Sequence, residues 1–347
     1  MKVSVVIPTH NDEATIAETL ESVFAQRVDG GFEVIVVNDG STDGTRAVLE
    51  KFGGRIRVID RENAGVAAAR NAGISAAAGE YIALLDADDT WTKGTLEKMV
   101  PVLDKNPASV AVFSDGMEFD GAGRIIKANY VGPGRDHSPT LDEMLGGVPW
   151  PILVGSIVIR RETLVAIGGF HPEFNAGHWG GEDTFIHLML RERGEFTYVP
   201  EVLVRHRLRD FRAHYANRAR NRLFQIDSAE VFSDFERRFG GHAVLARLAC
   251  ERFGVRGRKI AEWAIDRNAN ELASVGLMAM HEGNPGFARR CYRASIRLRP
   301  LRLKTYFRLG WAMLPAELSR WLSPMLAPRL RRSLAGPPFT EFQDPAQ

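Results

Sequence analysis

The sequence predicts an α/β protein with a mostly parallel, Rossmann-like sheet, helices on both faces, and an α-helical C-terminal region. Over about the first 210 of the 347 residues, near-continuous Val/Ile runs alternate with helical patterns. Such runs are typical of parallel strands buried on both faces. Past about residue 211 no Val-rich run recurs, and apolar residues keep a helical spacing. We therefore predict three segments, at residues 1–210, 211–314 and 315–347.

The first three predicted strands are apolar runs that each end in polar residues. They are followed by Pro8-Thr9, by Asn38-Asp39 and by Asp86-Ala87-Asp88. In open α/β sheets, ligands bind at the carboxyl ends of the strands. We therefore expect these residues on one edge of one sheet. The strands are predicted at 3–7, 32–37 and 81–85, with helices at 13–26, 42–52 and 65–77.

The later elements follow the same reasoning. A helix is predicted over 92–103, and a strand over Val110–Phe113 has Ser114-Asp115 at its end. Residues 116–150 are rich in Gly, Pro and polar residues, which predicts loops over the sheet edge. Strands at 152–159 and 198–204 flank a helix at 182–193, and helices at 272–281 and 287–298 form a hairpin.

The pair Asp86 and Asp88 predicts a site for a divalent cation. Mg²⁺ and Mn²⁺ take one or two carboxylates together with phosphate oxygens. We assign Asp88 as the direct metal ligand, and Asp86 as a ligand of a ribose or, through water, of the metal. A cation held in this way suits a bound diphosphate.

Six motifs occur in a fixed order along the chain. They are Val5-Val6-Ile7-Pro8-Thr9-His10-Asn11, Val37-Asn38-Asp39-Gly40-Ser41, Asn63-Ala64-Gly65 with Ala69-Arg70-Asn71, Asp86-Ala87-Asp88-Asp89, Gly168-Gly169-Phe170 and Trp179-Gly180-Gly181-Glu182-Asp183. This set resembles the family 2 glycosyltransferases, whose fold is the nucleotide-sugar-binding GT-A fold. The resemblance covers about the first 210 residues. The helical hairpin near residues 272–298 resembles one tetratricopeptide-type repeat.

The resemblance implies a metal-dependent, inverting transferase that moves a sugar from a nucleotide-diphosphate sugar to an acceptor hydroxyl. Asp183 would be the general base, with Glu182 beside it, and His206 would complete the shell of a Mn²⁺ or Mg²⁺ ion held by Asp88. Trp179 would offer a ring face to a sugar, and Gly180 and Gly181 would allow close approach of the backbone. The expected nucleotide-sugar site comprises Pro8, Thr9, Asp12, Asp39, Asn63, Arg70, Asp86 and Ala87.

Two positions leave alternatives open. Many relatives carry an aromatic residue, Asn and Glu where this chain has His10-Asn11-Asp12, which leaves the role of Asp12 undecided. Arg70 offers a planar fork of donors to a phosphate or a base, or pairs with an aspartate at a strand end. Both roles would make Arg70 costly to remove.

The composition places few limits on partners. A net charge of +2 excludes neither acidic nor basic partners, and Cys250 and Cys291 fit no metal spacing, which suggests a reducing compartment. No apolar stretch approaches the length of a membrane span. We expect a cytoplasmic protein, with peripheral contact at the inner face of the membrane left open because residues 315–347 could form a basic amphipathic element.

The acceptor is expected to be a glycan, a lipid-linked saccharide or a protein, and not a nucleic acid. Three other functions compete with the leading one. A retaining transferase is the nearest. A non-catalytic scaffold would bind nucleotide and use its helical region for protein contacts. A dinucleotide-dependent oxidoreductase would need a Gly-rich turn after the first strand, which the sequence lacks there.

Overall fold

We describe a computed structural model of the chain. It covers residues 1–132, 137–146, 150–175, 180–208, 228–281, 285–300, 305–306, 309–310 and 313. The chain divides into two compact units, Met1–Ile265 and Asp266–Gln347. The boundaries predicted at residues 210 and 314 both lie outside the described residues and stay predictions.

Strand β1 (Val3–Thr9) lies at the centre of a parallel group. It pairs with β2 (Phe32–Asp39) on one side and with β4 (Tyr81–Leu84) on the other, and β3 (Arg57–Arg61) extends the group beyond β2. Every residue of β1 is buried, as expected for a parallel strand covered on both faces. The carboxyl ends of these strands therefore share one edge.

The rest of the sheet is mixed in direction. Strand β8 (Ile157–Arg160) runs antiparallel between β4 and β6 (Ser109–Phe119), and β9 (Glu195–Arg207) runs parallel to β6. Two short strands, β5 (Thr90–Trp91) and β7 (Ile125–Lys127), pair antiparallel with β9 and β6. Within the described residues, the order is β3-β2-β1-β4-β8-β6-β9-β5, with β7 beside β6.

Each face of the sheet has its own hydrophobic core. Successive side chains of a strand point to opposite faces, so Val5 and Ile7 join one core while Val6 joins the other. Helices α1 (Ile16–Phe24) and α4 (Thr95–Lys105) cover the first face, and α3 (Val66–Ala76) and α7 (Glu182–Arg193) cover the second. The helices of this unit are α1 (Ile16–Phe24), α2 (Thr45–Glu50), α3 (Val66–Ala76), α4 (Thr95–Lys105), α5 (Leu141–Met144), α6 (Arg161–Ala166), α7 (Glu182–Arg193) and α8 (Ser228–Phe253).

Strand β6 is longer than the sequence predicts. The prediction ended it at Phe113, but the strand continues to Phe119. The polar side chain of Asp115 is satisfied inside the sheet, because its Oδ1 accepts the backbone N–H of Gly116 at 2.7 Å and of Val131 at 2.8 Å. A buried acid therefore does not end the strand, and part of the predicted 116–150 loop is a β6–β7 hairpin.

The second unit is described by its helices. Helix α9 (Arg258–His281) begins before this unit, and α10 (Pro285–Leu298) lies within it. The two helices of the predicted hairpin are thus present, whereas their likeness to a tetratricopeptide repeat stays a prediction. The basic element expected at 315–347 lies outside the described residues. Across the described helices, none is both long and apolar enough to span a membrane.

Candidate active site

The turn after β1 is closed by the side chain of Asp12. Its Oδ2 accepts the Thr9 hydroxyl at 3.0 Å and the backbone N–H of His10 at 2.9 Å. The Asp12 backbone N–H in turn donates to Thr45 Oγ1 at 2.8 Å, which ties this turn to the start of α2. Asp12 therefore shapes the backbone at Pro8 and Thr9, and contact of these three residues with a nucleotide stays a prediction.

Asp39, at the end of β2, holds the loop that leads into α3. Its carboxylate accepts the backbone N–H of Gly65 at 2.8 Å and of Ala64 at 3.2 Å, and Arg61 Nε lies 3.1 Å away. The amide of Asn63 lies 3.1 Å from the ring of His10. Arg61 was not foreseen from the sequence, because it ends a short edge strand that the pattern did not reveal.

Arg70 connects the acidic motif to the start of α7. Only 3% of the Arg70 side chain is exposed; its Nη2 donates to Asp86 Oδ1 at 2.8 Å and its Nη1 to Glu182 Oε1 at 3.3 Å. Burial opposes the charge of Arg70, but the carboxylates of Asp86 and Glu182 outweigh burial and raise its pKa. The ion-pair alternative is therefore what the structure shows. Its buried Nε has no acceptor among the described residues.

Phe170 contacts both Arg70 and the next residue on α3, Asn71. The amide of Asn71 donates to the carbonyl of Phe170 and accepts the Phe170 N–H, both at 2.8 Å. The Phe170 ring centroid lies 5.1 Å from the Arg70 guanidinium carbon. Both residues belong to motifs that the sequence singled out, but no sequence signal pairs a side chain with a backbone 99 positions away.

The end of β9 is fastened to the acidic motif. Asp89 Oδ2 lies 3.0 Å from His206 Nδ1, and Asp89 Oδ1 accepts the Arg207 N–H at 2.9 Å. Arg207 Nε also donates to the carbonyl of Asp88 at 3.1 Å. Burial disfavours a charged His206, but Asp89 and then Asp88 raise its pKa to about 9. The structure thus brings His206 next to the predicted metal ligand Asp88.

These residues suit Mn²⁺ or Mg²⁺. Such ions are bound by one or two protein carboxylates with phosphate oxygens and water. With Nδ1 held by Asp89, the Nε2 atom of His206 would become a ligand once the cation displaces its proton, and a carboxylate behind the ring is common at metal-bound histidines. No group of three or more His, Cys, Asp or Glu within the described ranges is arranged as a metal site by itself.

The start of α7 depends on two glycines. Gly180 and Gly181 have φ of +91° and +97°, in the left-handed region that favours glycine. A Cβ on Gly181 would lie 3.1 Å from the Leu245 side chain on α8.

Ala87, on the strand side of the site, is buried, and its carbonyl accepts the Thr19 hydroxyl at 2.9 Å. Trp179, the predicted sugar platform, lies outside the described residues.

The predicted catalytic pair differs in its surroundings. Glu182 Oε2 accepts the Gly180 N–H at 2.9 Å, while its other oxygen meets Arg70. Burial and then the neighbouring Asp183 raise the pKa of Glu182. Asp183 Oδ1 accepts the Thr184 N–H at 2.6 Å, and the second oxygen of Asp183 has no hydrogen-bond partner among the described residues. One turn along α7, burial lowers the pKa of His187 to about 4.

Known proteins resemble this chain over part of its length. A sequence model of Glycosyl transferase family 2 matches residues 4–155. TuaG of Bacillus subtilis (strain 168) is 45% identical over 102 residues, which are 28% of this chain and 40% of TuaG. WfgD of Escherichia coli, named UDP-Glc:alpha-D-GlcNAc-diphosphoundecaprenol beta-1,3-glucosyltransferase, is 39% identical over 109 residues, 31% of this chain and 43% of WfgD. The chain thus spans less than half of each of these relatives.

Solved structures share the fold. The crystal structure of S. aureus TarS 1–349 in complex with UDP-GlcNAc matches with a TM-score of 0.51 at 19% identity, over 90% of each chain. This likeness confirms the predicted α/β fold with helices following it. Over residues 4–155, the chain is similar to the sequence model of glycosyl transferase family 2, and the solved structures share its fold.

Proposed function

We propose that the protein is a metal-dependent, inverting glycosyltransferase that moves a sugar from a nucleotide-diphosphate sugar to an acceptor hydroxyl. The similarity of residues 4–155 to the family 2 sequence model supports sugar transfer. The name of WfgD states that its donor is UDP-Glc, and crystal structures of TarS contain UDP and UDP-GlcNAc. A uridine diphosphate sugar is therefore the first donor to test.

The main support for this proposal is the buried bridge, in which Arg70 forms ion pairs with both Asp86 and Glu182. A transferase needs its diphosphate site and its general base side by side. Arg70 joins Asp86, on the strand edge, to Glu182, which directly precedes Asp183. The bridge therefore supports one site built from both parts. The Arg70 Nε, which has no acceptor among the described residues, would be a donor for a phosphate oxygen.

The donor would lie along the strand edge. The backbone at Pro8 and Thr9, the side chains of Asp39 and Asn63, and the turn held by Asp12 would surround the base and ribose. Asp86 and the backbone of Ala87 would continue this surface towards the diphosphate. Asp88 and His206 would hold Mn²⁺ or Mg²⁺, which when bound stabilises the negative charge of the departing diphosphate.

Asp183 would take the acceptor proton. Because its Oδ1 accepts the Thr184 N–H, its Oδ2 is the oxygen left to receive a proton. As the proton leaves, the hydroxyl oxygen bonds to the anomeric carbon from the face opposite the phosphate. The bond between the anomeric carbon and the phosphate oxygen breaks, and its electron pair leaves with the diphosphate. Attack on that face inverts the anomeric configuration.

The acceptor would bind beside α7. Trp179 would present its ring to a sugar, and Gly180 and Gly181 would allow close approach of the backbone. A glycan, a lipid-linked saccharide and a protein are the acceptors to compare.

Transfer and product configuration test the proposal. UDP release from a panel of UDP-sugars is measured with and without Mn²⁺, and the anomeric configuration of the product is read by NMR. Asp183→Asn should keep donor binding and lose about 10²- to 10⁴-fold in rate, whereas Glu192→Gln, on the same helix, should stay near wild type. Asp88→Ala should lose metal-dependent donor binding.

Each competing function has its own outcome. A product with the donor's configuration would support a retaining transferase. Nucleotide binding without sugar transfer from any donor to any acceptor tested would support a non-catalytic scaffold. Near-normal turnover by Asp183→Asn would exclude Asp183 as the base.

A further inference from the structure

We propose that Asn71 is a positioning residue of the active site, which holds Phe170 so that Arg70 keeps its bridge to the start of α7. Neither Asn71 nor the Gly168-Gly169-Phe170 motif has a role in the proposed transfer. The effect of Asn71 on turnover rests on the proposed function, whereas its effect on the protein backbone can be measured without any donor or acceptor.

The turn at the end of α6 brings the backbone of Phe170 to α3. The Gly169 N–H donates to the Leu164 carbonyl at 3.0 Å. The Gly168 N–H donates to the Val165 carbonyl, also at 3.0 Å. This pair of hydrogen bonds is the pattern of a Schellman motif. Gly168 and Gly169 have φ of +84° and +70°, a region that glycine adopts at little cost.

The side chain of Asn71 satisfies both polar groups of the Phe170 backbone. Its Nδ2 donates to the Phe170 carbonyl and its Oδ1 accepts the Phe170 N–H, both at 2.8 Å. Only 1% of Phe170 is exposed, so without Asn71 little water could replace these two hydrogen bonds. A Cβ on Gly169 would clash with Asn71 Oδ1. The contact therefore depends on a glycine at position 169.

Two adjacent residues of α3 hold the chain at two points, before and at the start of α7. Asn71 binds Phe170, and Arg70 Nη1 pairs with Glu182 at 3.3 Å. The Phe170 ring centroid lies 5.1 Å from the Arg70 guanidinium carbon, within the range of a cation–π contact. A displaced Phe170 would therefore remove packing from the guanidinium that holds Glu182. Asn71 thus acts on Glu182 through Phe170 and Arg70.

The position of Glu182 matters for transfer because Asp183, the proposed base, follows it directly. A displacement of about 1 Å by a distant substitution can slow an enzyme about 100-fold. The other arm of the bridge, from Arg70 Nη2 to Asp86, lies at the strand edge. We therefore expect loss of Asn71 to reduce turnover by more than it reduces affinity for UDP.

Hydrogen exchange read by mass spectrometry tests the positioning role with the full chain and no ligand. Asn71→Ala should speed exchange roughly 10-fold in peptides that cover residues 168–175 and 182–186. The matched control is Asn106→Ala, because the Asn106 amide donates to Thr197 Oγ1 at 3.4 Å, at the far end of α4. This control should leave both peptides near wild type.

A pair of glycine variants tests the same contact from the other side, and serves if Asn71→Ala does not fold. Gly168 and Gly169 both have positive φ, so an alanine is strained at either position. A Cβ on Gly168 meets nothing within 4 Å, whereas one on Gly169 would clash with Asn71. Gly169→Ala should therefore speed exchange over 182–186, and Gly168→Ala should leave it near wild type.

Turnover and UDP affinity complete the test. Release of UDP from UDP-Glc and UDP-GlcNAc should fall about 10- to 100-fold in Asn71→Ala, with a smaller change in UDP affinity measured by calorimetry. If the wild type releases no UDP from either donor, the proposed function is in question, but the exchange experiment still decides the role of Asn71.

Two results would overturn the inference. Faster exchange over 168–175 with unchanged exchange over 182–186, in both Asn71→Ala and Gly169→Ala, would show that Asn71 supports only the α6 turn. An Asn71→Ala variant whose UDP affinity falls as much as its turnover would show that the residue serves nucleotide binding and not the placement of α7.

Discussion

Replacing Arg70 by Gln tests the reasoning about the site most directly. The change keeps a polar side chain, which is shorter than that of arginine, and removes the charge between Asp86 and Glu182. The Arg70, Asp86 and Glu182 side chains are 3%, 30% and 11% exposed. Removing one partner of a buried ion pair costs about 3–5 kcal/mol, because the other charge remains buried. Solvent relieves Asp86 in part, so we expect the unfolding free energy to fall by about 3 kcal/mol.

Urea unfolding followed by tryptophan fluorescence measures this loss. Arg70→Lys keeps the charge but lacks the planar fork that reaches two carboxylates, so its loss should lie between those of wild type and Arg70→Gln. Arg46→Gln is the matched control. Arg46 pairs with Asp60 and is 45% exposed, and such surface pairs contribute about 0–1 kcal/mol.

A double-mutant cycle attributes the loss to the bridge. If Arg70 acts through Glu182, then Arg70→Gln should cost less when Glu182 is already Gln, with a coupling energy of about 1–3 kcal/mol. The reasoning is refuted if Arg70→Gln costs no more than Arg46→Gln, or if the cycle shows no coupling.

Three further variants test other features of the structure. Gly181→Ala should destabilise the protein by more than Gly123→Ala. Both glycines have positive φ, where an alanine costs about 1–2 kcal/mol, but only at Gly181 would the added Cβ lie 3.1 Å from Leu245. Equal losses would contradict the packing of Gly181 against Leu245. His187, whose pKa burial lowers from 6.5 to about 4, should make the wild type lose stability as pH falls through this range. Between pH 7 and pH 5, the wild type should therefore lose about 2 kcal/mol more of unfolding free energy than His187→Gln, and parallel profiles would disprove this. Asp89→Asn should weaken Mn²⁺ binding about 10- to 100-fold, read by the spin-resonance signal of free Mn²⁺ in the presence of UDP, and unchanged affinity would exclude Asp89 as the residue that orients His206.

The parallel part of the fold was predictable because its signal is local. The Val-rich strands β1 and β2 and the apolar β4 are buried on both faces, so their sequences have little freedom to vary from an apolar run. Helix α7 was predicted with its observed bounds, Glu182–Arg193. The edge strand β3 gave a weaker signal, because its residues are half-buried or exposed and three of its five residues are charged.

Strand β6 shows where local reasoning fails. Asp115 looked like a residue that follows a strand, because an acid inside a sheet usually lacks partners. Its partners are the backbone of Val131 and the hydroxyl of Tyr198, which lie in segments that no local pattern connects to it. The length of β6 was therefore set by tertiary contacts.

The sequence by itself determined the order of the polar motifs and the strand edge on which they meet, since parallel strands direct their carboxyl ends to one side. It could not determine which side chains pair across that edge. The Arg70–Glu182 bridge joins residues 112 positions apart, and the Asp89–His206 contact joins residues 117 apart. Only the tertiary structure decided these pairs, because the geometry of a charge pair depends on the packing of separate elements and leaves no periodic trace in the sequence.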